Sequence, residues 1–341
     1  MKFFLHNDTT GHRKPAVKLG TLGVLSAVFF LAVACASIPR EASLAGLFNR
    51  FEKAPHMLIR AQNAFLHDMT ASFNDSTLEA LMTVVSNQNN GAHGPIDRNR
   101  LDKTLARADA VGVGVSWNGN QNPAVEVAVA GNFPGLLTSL SFSFDSNWER
   151  IAGGYAAKNR KIYLREPSDG QLHFATWAPE NPTPLSDAAA SMARHSGMLG
   201  SNADLTMYLD AKSSLVSQLP ILDGVTLPFD GIMLSATRDA VAPSKGSPDA
   251  RYSIVFQIQM KDEQTARTYK PIMKFVWVLI STRLGAAGIP ISPENSIEQQ
   301  GSLFWSQPIA MSAQEIVDAI LRLSNLGSGT GAGPPGGQSA H

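Results

Sequence analysis

The sequence predicts an α+β fold made of two similar modules, each an antiparallel sheet with helices packed on one face. Three observations predict it. The chain has 341 residues, 44% of them hydrophobic and only 16% charged, enough to bury a substantial core. Short runs alternating with period two, such as AVGVGVSW and AVEVAVAG, recur between turn-forming residues. The order strand, helix, strand pair, helix, strand pair can be read in both halves. One continuous curved sheet built from both halves fits the same pattern and stays open at this stage.

Residues 1–18 are polar, with His12, Arg13, Lys14 and Lys18 just ahead of the apolar run LGTLGVLSAVFFLAVA, Leu19 to Ala34. That run is uncharged but only 16 residues long. A helix needs about 20 to cross a bilayer core, so the run reads as the apolar region of a signal peptide. It ends at Cys35, the one cysteine of the chain, which excludes an intramolecular disulfide framework and any cysteine-cluster metal or redox motif. The stretch LAVAC resembles the lipobox of bacterial lipoproteins, and residues 12–36 carry the resemblance. Small residues Ala32 and Ala34 suit an extended peptide in a peptidase cleft, although Ala32 stands where lipoboxes usually carry leucine. The resemblance implies that residues 1–34 are cleaved and that Cys35 carries a diacylglyceryl thioether and further acyl chains such as palmitate. Two or three chains anchor stably where one holds only marginally. Ala36, in place of an aspartate that retains some lipoproteins, implies the outer membrane.

Residues 35–55 read as a tether holding a short amphipathic helix between Pro39 and Pro55. Leu44, Leu47, Phe48 and Phe51 fall at i, i+3, i+4 and i+7, with Ser43 as a cap and Arg50 and Lys53 near the end. Two uses follow: this face rests on the membrane surface, or it packs on the body as a first helix. The second is preferred.

The first module spans 56–180. MLIRAQNAFL reads as strand and NDSTLEALMTVVSN as helix, with Leu78, Leu81, Met82 and Val85 on one face. AVGVGVSW and AVEVAVAG form a strand pair around an Asn-Gly signal. FPGLLTSLSF suits either a helix started by Pro134 or a strand. GGYAAKN, KIYLRE and QLHFATW form a meander. Breaker-rich residues 181–203 are a linker. The second module, 204–325, holds the strands LTMYLDA, GIMLSATR and YSIVFQIQM, the short helix SSLVSQLP, and a long helix kinked or begun at Pro271. NSIEQQGSLFWSQ adds strand. SAQEIVDAILRLSN closes the module as a helix capped by Ser312, with Ile316, Val317, Ile320, Leu321 and Leu323 toward the core. The glycine- and proline-rich tail 326–341 has the composition of a disordered segment.

Charge excludes more than it suggests. The formal net charge is zero; residues 1–34 hold four basic and one acidic residue, so 24 basic and 27 acidic residues remain after cleavage. No basic stripe points to nucleic acid. No His-Glu-x-x-His, Gly-x-Ser-x-Gly or P-loop is present. GSGTGAG lacks a preceding strand and is followed by Pro334-Pro335, so it reads as tail and not as a phosphate loop. His56, His67, His93, His173 and His195 are scattered without metal-ligand spacing, and no metal or cofactor is expected. Asp262/Glu263 and Asp145/Glu149 fall at helix or turn starts, where acids serve the helix dipole.

Apolar surface is the better lead. IMKFVWVLI, Ile272 to Ile280, is apolar nearly all round apart from Lys274, and a helix of that kind must be buried on every side. A core helix covered by sheet explains it. The alternative is an apolar groove lined by Ile272, Phe275, Trp277 and Leu279, with Trp117, Trp148, Trp177 and Trp305 available nearby or elsewhere in the sheets. The expected function is therefore non-enzymatic: a lipid-anchored lipoprotein of the bacterial envelope acting as a binding or assembly module. Its partners are the membrane, through the N-terminal lipid, and an envelope protein or amphiphile. A carrier of lipid in an apolar cavity is the alternative, and an envelope hydrolase the least favoured.

Overall fold

The computed structural model describes residues 46–74, 102–103, 105–116, 124–158, 161–179, 188–211, 228–241, 244–286, 288–291 and 297–327, all within one compact unit. The strands are β1 (Met57–Gln62), β2 (Ala108–Ser116), β3 (Ala124–Gly131), β4 (Trp148–Ile151), β5 (Gly154–Ala157), β6 (Tyr163–Arg165), β7 (Gln171–Ala175), β8 (Leu205–Asp210), β9 (Phe229–Arg238), β10 (Arg251–Met260), β11 (Glu298–Gln300), β12 (Leu303–Trp305) and β13 (Ile309–Ser312). The helices are α1 (Asn63–Ser72), α2 (Gly135–Phe144), α3 (Ala188–His195), α4 (Glu263–Ala286) and α5 (Ala313–Gly327).

The strands form one antiparallel sheet in the order β11-β12-β10-β9-β8-β1-β2-β3-β7-β6-β5-β4, with β13 also paired to β10. Strand β1 joins the halves: Ile59 lies opposite Val113 of β2 on one side and Met207 of β8 on the other. The fold is thus mixed α+β, dominated by an antiparallel sheet. The strands of the two halves share that sheet and do not form two separate ones.

Registers assign each side chain to a face, because alternate residues of a strand point oppositely. One face carries Ile254 and Ile258 of β10, Leu209 of β8, and Val127 and Val129 of β3. Helices α1, α4 and α5 cover the β10 end of this face. Phe65 and Met69, Met273, Val276 and Trp277, and Ile316 and Val317 join Ile254, Ile258 and Tyr252 in a single apolar cluster. At the other end α2 brings Phe142 edge-on to Trp148, ring centroids 5.0 Å apart, beside Tyr155, Leu164 and Leu172. The opposite face is lined by small residues, Ala110, Gly112, Gly114, Ala128 and Ala130, and is covered by residues 46–55 and α3.

Four local readings are corrected. The strand begun at Met57 stops at Gln62, and NAFLHDMTAS is helix: Phe65, Asp68, Met69 and Ser72 repeat with helical spacing and are buried. Within the stretch read as linker, α3 forms and buries Ala189, Ala190 and Ala193. Helix α4 begins at Glu263 and continues past Pro271, so it is not begun there. In α5, Ser312 caps as expected: its hydroxyl accepts the Glu315 N–H at 3.2 Å, while Glu315 accepts the Ser312 N–H at 2.7 Å, a reciprocal capping box. Ile320, however, is 48% exposed and turns away from the core. The helix read at 75–87 and the short helix SSLVSQLP lie outside the described residues, as does the tail beyond Gly327; Leu326 and Gly327, read as its start, close α5.

Candidate functional site

Two features carry charge or apolar surface that packing alone does not require. The first is the strap formed by residues 46–55. Residues 46–50 are turns, and Leu47, Phe48 and Phe51 are at most 1% exposed, laid across the small-residue face. A Cβ on Gly112 would come within 2.7 Å of Phe48, and one on Gly114 within 2.6 Å of Phe51, so only glycine leaves room for the two rings. Side chains this deeply buried have no surface to offer a bilayer. The membrane-facing use of Leu47, Phe48 and Phe51 is therefore corrected: they anchor the strap to the sheet. Leu44 and Cys35 lie outside the described residues.

Beneath the strap the face turns ionic. Glu52 pairs with Arg165, their side chains 5% and 4% exposed. Glu126 accepts the Glu52 N–H at 2.8 Å and faces the Lys53 N–H at 3.5 Å, so the carboxylate of β3 holds strap backbone. Glu52 also accepts the Trp177 indole N–H at 2.9 Å, and the Lys53 ammonium lies 4.0 Å over that ring. Arg50 donates to the Ser168 hydroxyl at 3.0 Å and the Glu166 carbonyl at 3.1 Å. His173 is 1% exposed, stacks on Phe51 at 5.5 Å, and has Nε2 3.8 Å from Glu126. Burial, reinforced by nearby Glu52 and opposed by two backbone N–H groups and Arg165, pushes the Glu126 carboxyl up to about 7. Burial, with Arg165 and Arg50 adding to it, pushes the His173 imidazole down to about 3. Both groups are thereby driven toward their neutral forms, as desolvation demands.

The second feature is α2, which packs inward through Phe142 and exposes a further set of apolar residues. Two of its serines contact the Tyr155 hydroxyl. Ser139 and Ser143 hydroxyls lie 2.6 and 2.9 Å from the Tyr155 hydroxyl, Arg150 donates to that oxygen at 2.6 Å, and Ser139 donates to Glu166 at 2.9 Å. Arg150 completes the cluster by pairing with Glu166 at 2.7 Å. The leucines face out: Leu136 is 66% exposed, Leu137 47%, Leu140 44% and Phe144 85%. At 100° per residue these four fall on a single arc.

Helix α4 also exposes apolar residues, on the side away from the sheet. Trp277 is 3% exposed and packs 6.1 Å from the Phe256 ring, whereas Ile272, Phe275 and Leu279 are exposed on the far side with Val278. The expectation of burial on every side is corrected, and so is the groove: Trp277 and the other three point in opposite directions. A hollow of about 590 Å³ near β4 to β6 is lined in part by Glu149, Lys158, Lys161 and Tyr163, a charged lining unlike that of an acyl-chain cavity. Of the paired acids, Asp262 accepts the Thr265 N–H at 2.7 Å at the start of α4, and Asp145 accepts the Asn147 N–H at 2.9 Å within a turn. No group of three or more His, Cys, Asp or Glu suited to a metal ion occurs among the described residues. The buried quartet Glu52, Glu126, Arg165 and His173 was missed by sequence reasoning, though a signal exists: Glu126 is the one charge inside AVEVAVAG.

These elements define a class, an α+β protein whose single antiparallel sheet carries an N-terminal strap on one face and outward-apolar helices on the other. No helix among the described residues is long and apolar enough to cross a membrane. No family model matches the chain, and no curated protein does. Among solved structures it is similar to TP0453 in three crystal forms. Form I is 14% identical, covers 84% of this chain and 99% of that one, and has a TM-score of 0.47. Form IV gives 14%, 80%, 95% and 0.48, and form III 12%, 84%, 98% and 0.46 in the same order.

Proposed function

We propose that the protein is a lipid-anchored lipoprotein of the bacterial envelope, held through Cys35 in the outer membrane, whose body is a non-enzymatic binding module. The observation that carries the binding reading is the exposed apolar arc of α2. Packing of α2 uses Phe142 and the contacts of Ser139 and Ser143 with Tyr155, and leaves Leu136, Leu137, Leu140 and Phe144 in water. A contiguous outward apolar arc marks a contact surface. The anchor rests on LAVAC, in which the sole cysteine falls where lipid attachment requires it. Cys35→Ser tests the anchor: fatty-acid labelling and detergent-phase partitioning are expected to disappear in the variant, and unchanged partitioning refutes it.

A further inference from the structure

We infer that the outward face of α4 is a docking surface for an anionic lipid bilayer. This deepens the binding reading above, but it stands on a different helix and a different observation, the distribution of charge. From Thr268 to Ala286 the helix carries Lys270, Lys274 and Arg283 and no aspartate or glutamate. Ile272, Phe275, Val278 and Leu279, exposed by 46, 64, 41 and 37%, occupy one arc of the helical wheel. Lys270 and Lys274, both exposed, run along one edge of that arc, with Arg267, paired to Glu263, at its N-terminal end.

An apolar arc bordered by cations is the pattern of a helix lying in the plane of a membrane interface. Lysine suits the border because its aliphatic stem can lie along apolar surface while the ammonium reaches the headgroups. The eight residues from Ile272 to Leu279 extend about 12 Å, far too short to span but enough to enter the headgroup boundary as a unit. The surface is also preformed. Met273, Val276, Trp277, Ile280 and Leu284, all buried against the sheet, fix the rotation of the helix, so docking orders nothing new. An apolar protein partner would be served by the arc alone. The one-sided cationic edge, in a chain whose mature part is slightly acidic, selects anionic headgroups.

The test uses the mature chain from Ala36 without acyl groups, so that neither the leader nor the lipid contributes. Its co-flotation is measured with vesicles of phosphatidylcholine alone and with about one third phosphatidylglycerol. Binding about tenfold tighter to the anionic vesicles is expected, weakening as salt is raised. Lys270→Glu with Lys274→Glu should abolish the preference, and Phe275→Ser should weaken binding to both vesicle types. Circular dichroism is expected to be unchanged, because all three side chains are exposed. Equal binding to both vesicles, or a preference that survives the lysine substitutions, overturns the inference. So does saturable binding to one envelope protein without vesicle preference. Absence of lipid on Cys35 would leave these outcomes unaffected, so the two readings fail separately.

Discussion

Replacing Glu126 by glutamine probes the buried cluster under the strap, because two groups there oppose each other as pH changes. Glu126 is raised from 4.5 to about 7 in the folded chain, so the unfolded chain releases its proton first. Its contribution to stability is fully present below pH 4.5 and is lost as pH rises to about 7. At about 1.4 kcal/mol per pH unit the loss amounts to about 3 kcal/mol. His173 is lowered from 6.5 to about 3, so its contribution is present above pH 6.5 and is lost as pH falls toward 3, about 5 kcal/mol in all. Between pH 4.5 and 6.5 the slopes are equal and opposite: folding takes up a proton at Glu126 and releases one at His173. The wild type should therefore show nearly level stability across that window. Glutamine keeps an acceptor for the Glu52 N–H but cannot ionise. Glu126→Gln should gain stability steadily from pH 3 to 6.5, then level off up to about 3 kcal/mol above the wild type at pH 8. His173→Phe keeps a ring against Phe51 and should fall in stability from pH 4.5 to 7. Urea unfolding at several pH values, read as midpoints at constant slope, measures both. A Glu126→Gln profile parallel to the wild type from pH 3 to 8 would refute the reasoning.

Other substitutions probe separate parts of the body. Asp68 is fully buried and accepts from Arg238 Nε and the Tyr252 hydroxyl at 2.7 Å each, and from the backbone of Gly246 and Ser247 at 2.6 and 3.1 Å. Asp68→Asn leaves the guanidinium without its charge partner and should cost about 3–5 kcal/mol in urea unfolding. Gly114→Val drives a side chain into Phe51 and should cost about 1–3 kcal/mol, with faster amide exchange confined first to residues 46–55. Leu140→Ser with Phe144→Ser, on the exposed arc of α2, should change stability by no more than about 0.5 kcal/mol while abolishing crosslinks to the bound partner.

How far the fold was legible follows from where its information lies. Period-two alternation in AVEVAVAG and YSIVFQIQM is local, and those strands form where read. The capping box at Ser312 and Glu315 is local too, and it starts α5. Strand neighbours are not local. That β1 pairs with both β2 and β8, making one sheet from two halves, depends on which edges meet, and no run of residues encodes it. Helix α4 shows the same limit at finer scale. Its apolar composition was plain in IMKFVWVLI, but an even distribution of apolar residues cannot say which side meets the sheet. Only Met273, Val276, Trp277 and Ile280, packed on β10 and its neighbours, settle the rotation. In α2 the signal was present and hard to weigh: serines at 139 and 143 alternate with leucines in a way that fits a strand or a helix of either rotation. The groups clustered with those serines, Tyr155 and Arg150, belong to strands further along the chain.

The strap alters what an anchor on Cys35 implies. Among the described residues the chain is already seated on the glycine-floored face at Leu47, ahead of the first strand residue Met57. Twelve residue steps separate Cys35 from Leu47, a reach of roughly 40 Å when fully extended, against roughly 75 Å if the chain were free as far as Met57. Under the proposed anchor, seating Leu47, Phe48 and Phe51 would nearly halve the distance over which the body can wander and raise its effective concentration at the membrane surface accordingly. That gives Gly112 and Gly114 a role beyond packing. They are far in sequence from Cys35, yet under the proposed anchor they would set the length of its tether, and a bulky residue at either one is expected to loosen the body from the surface.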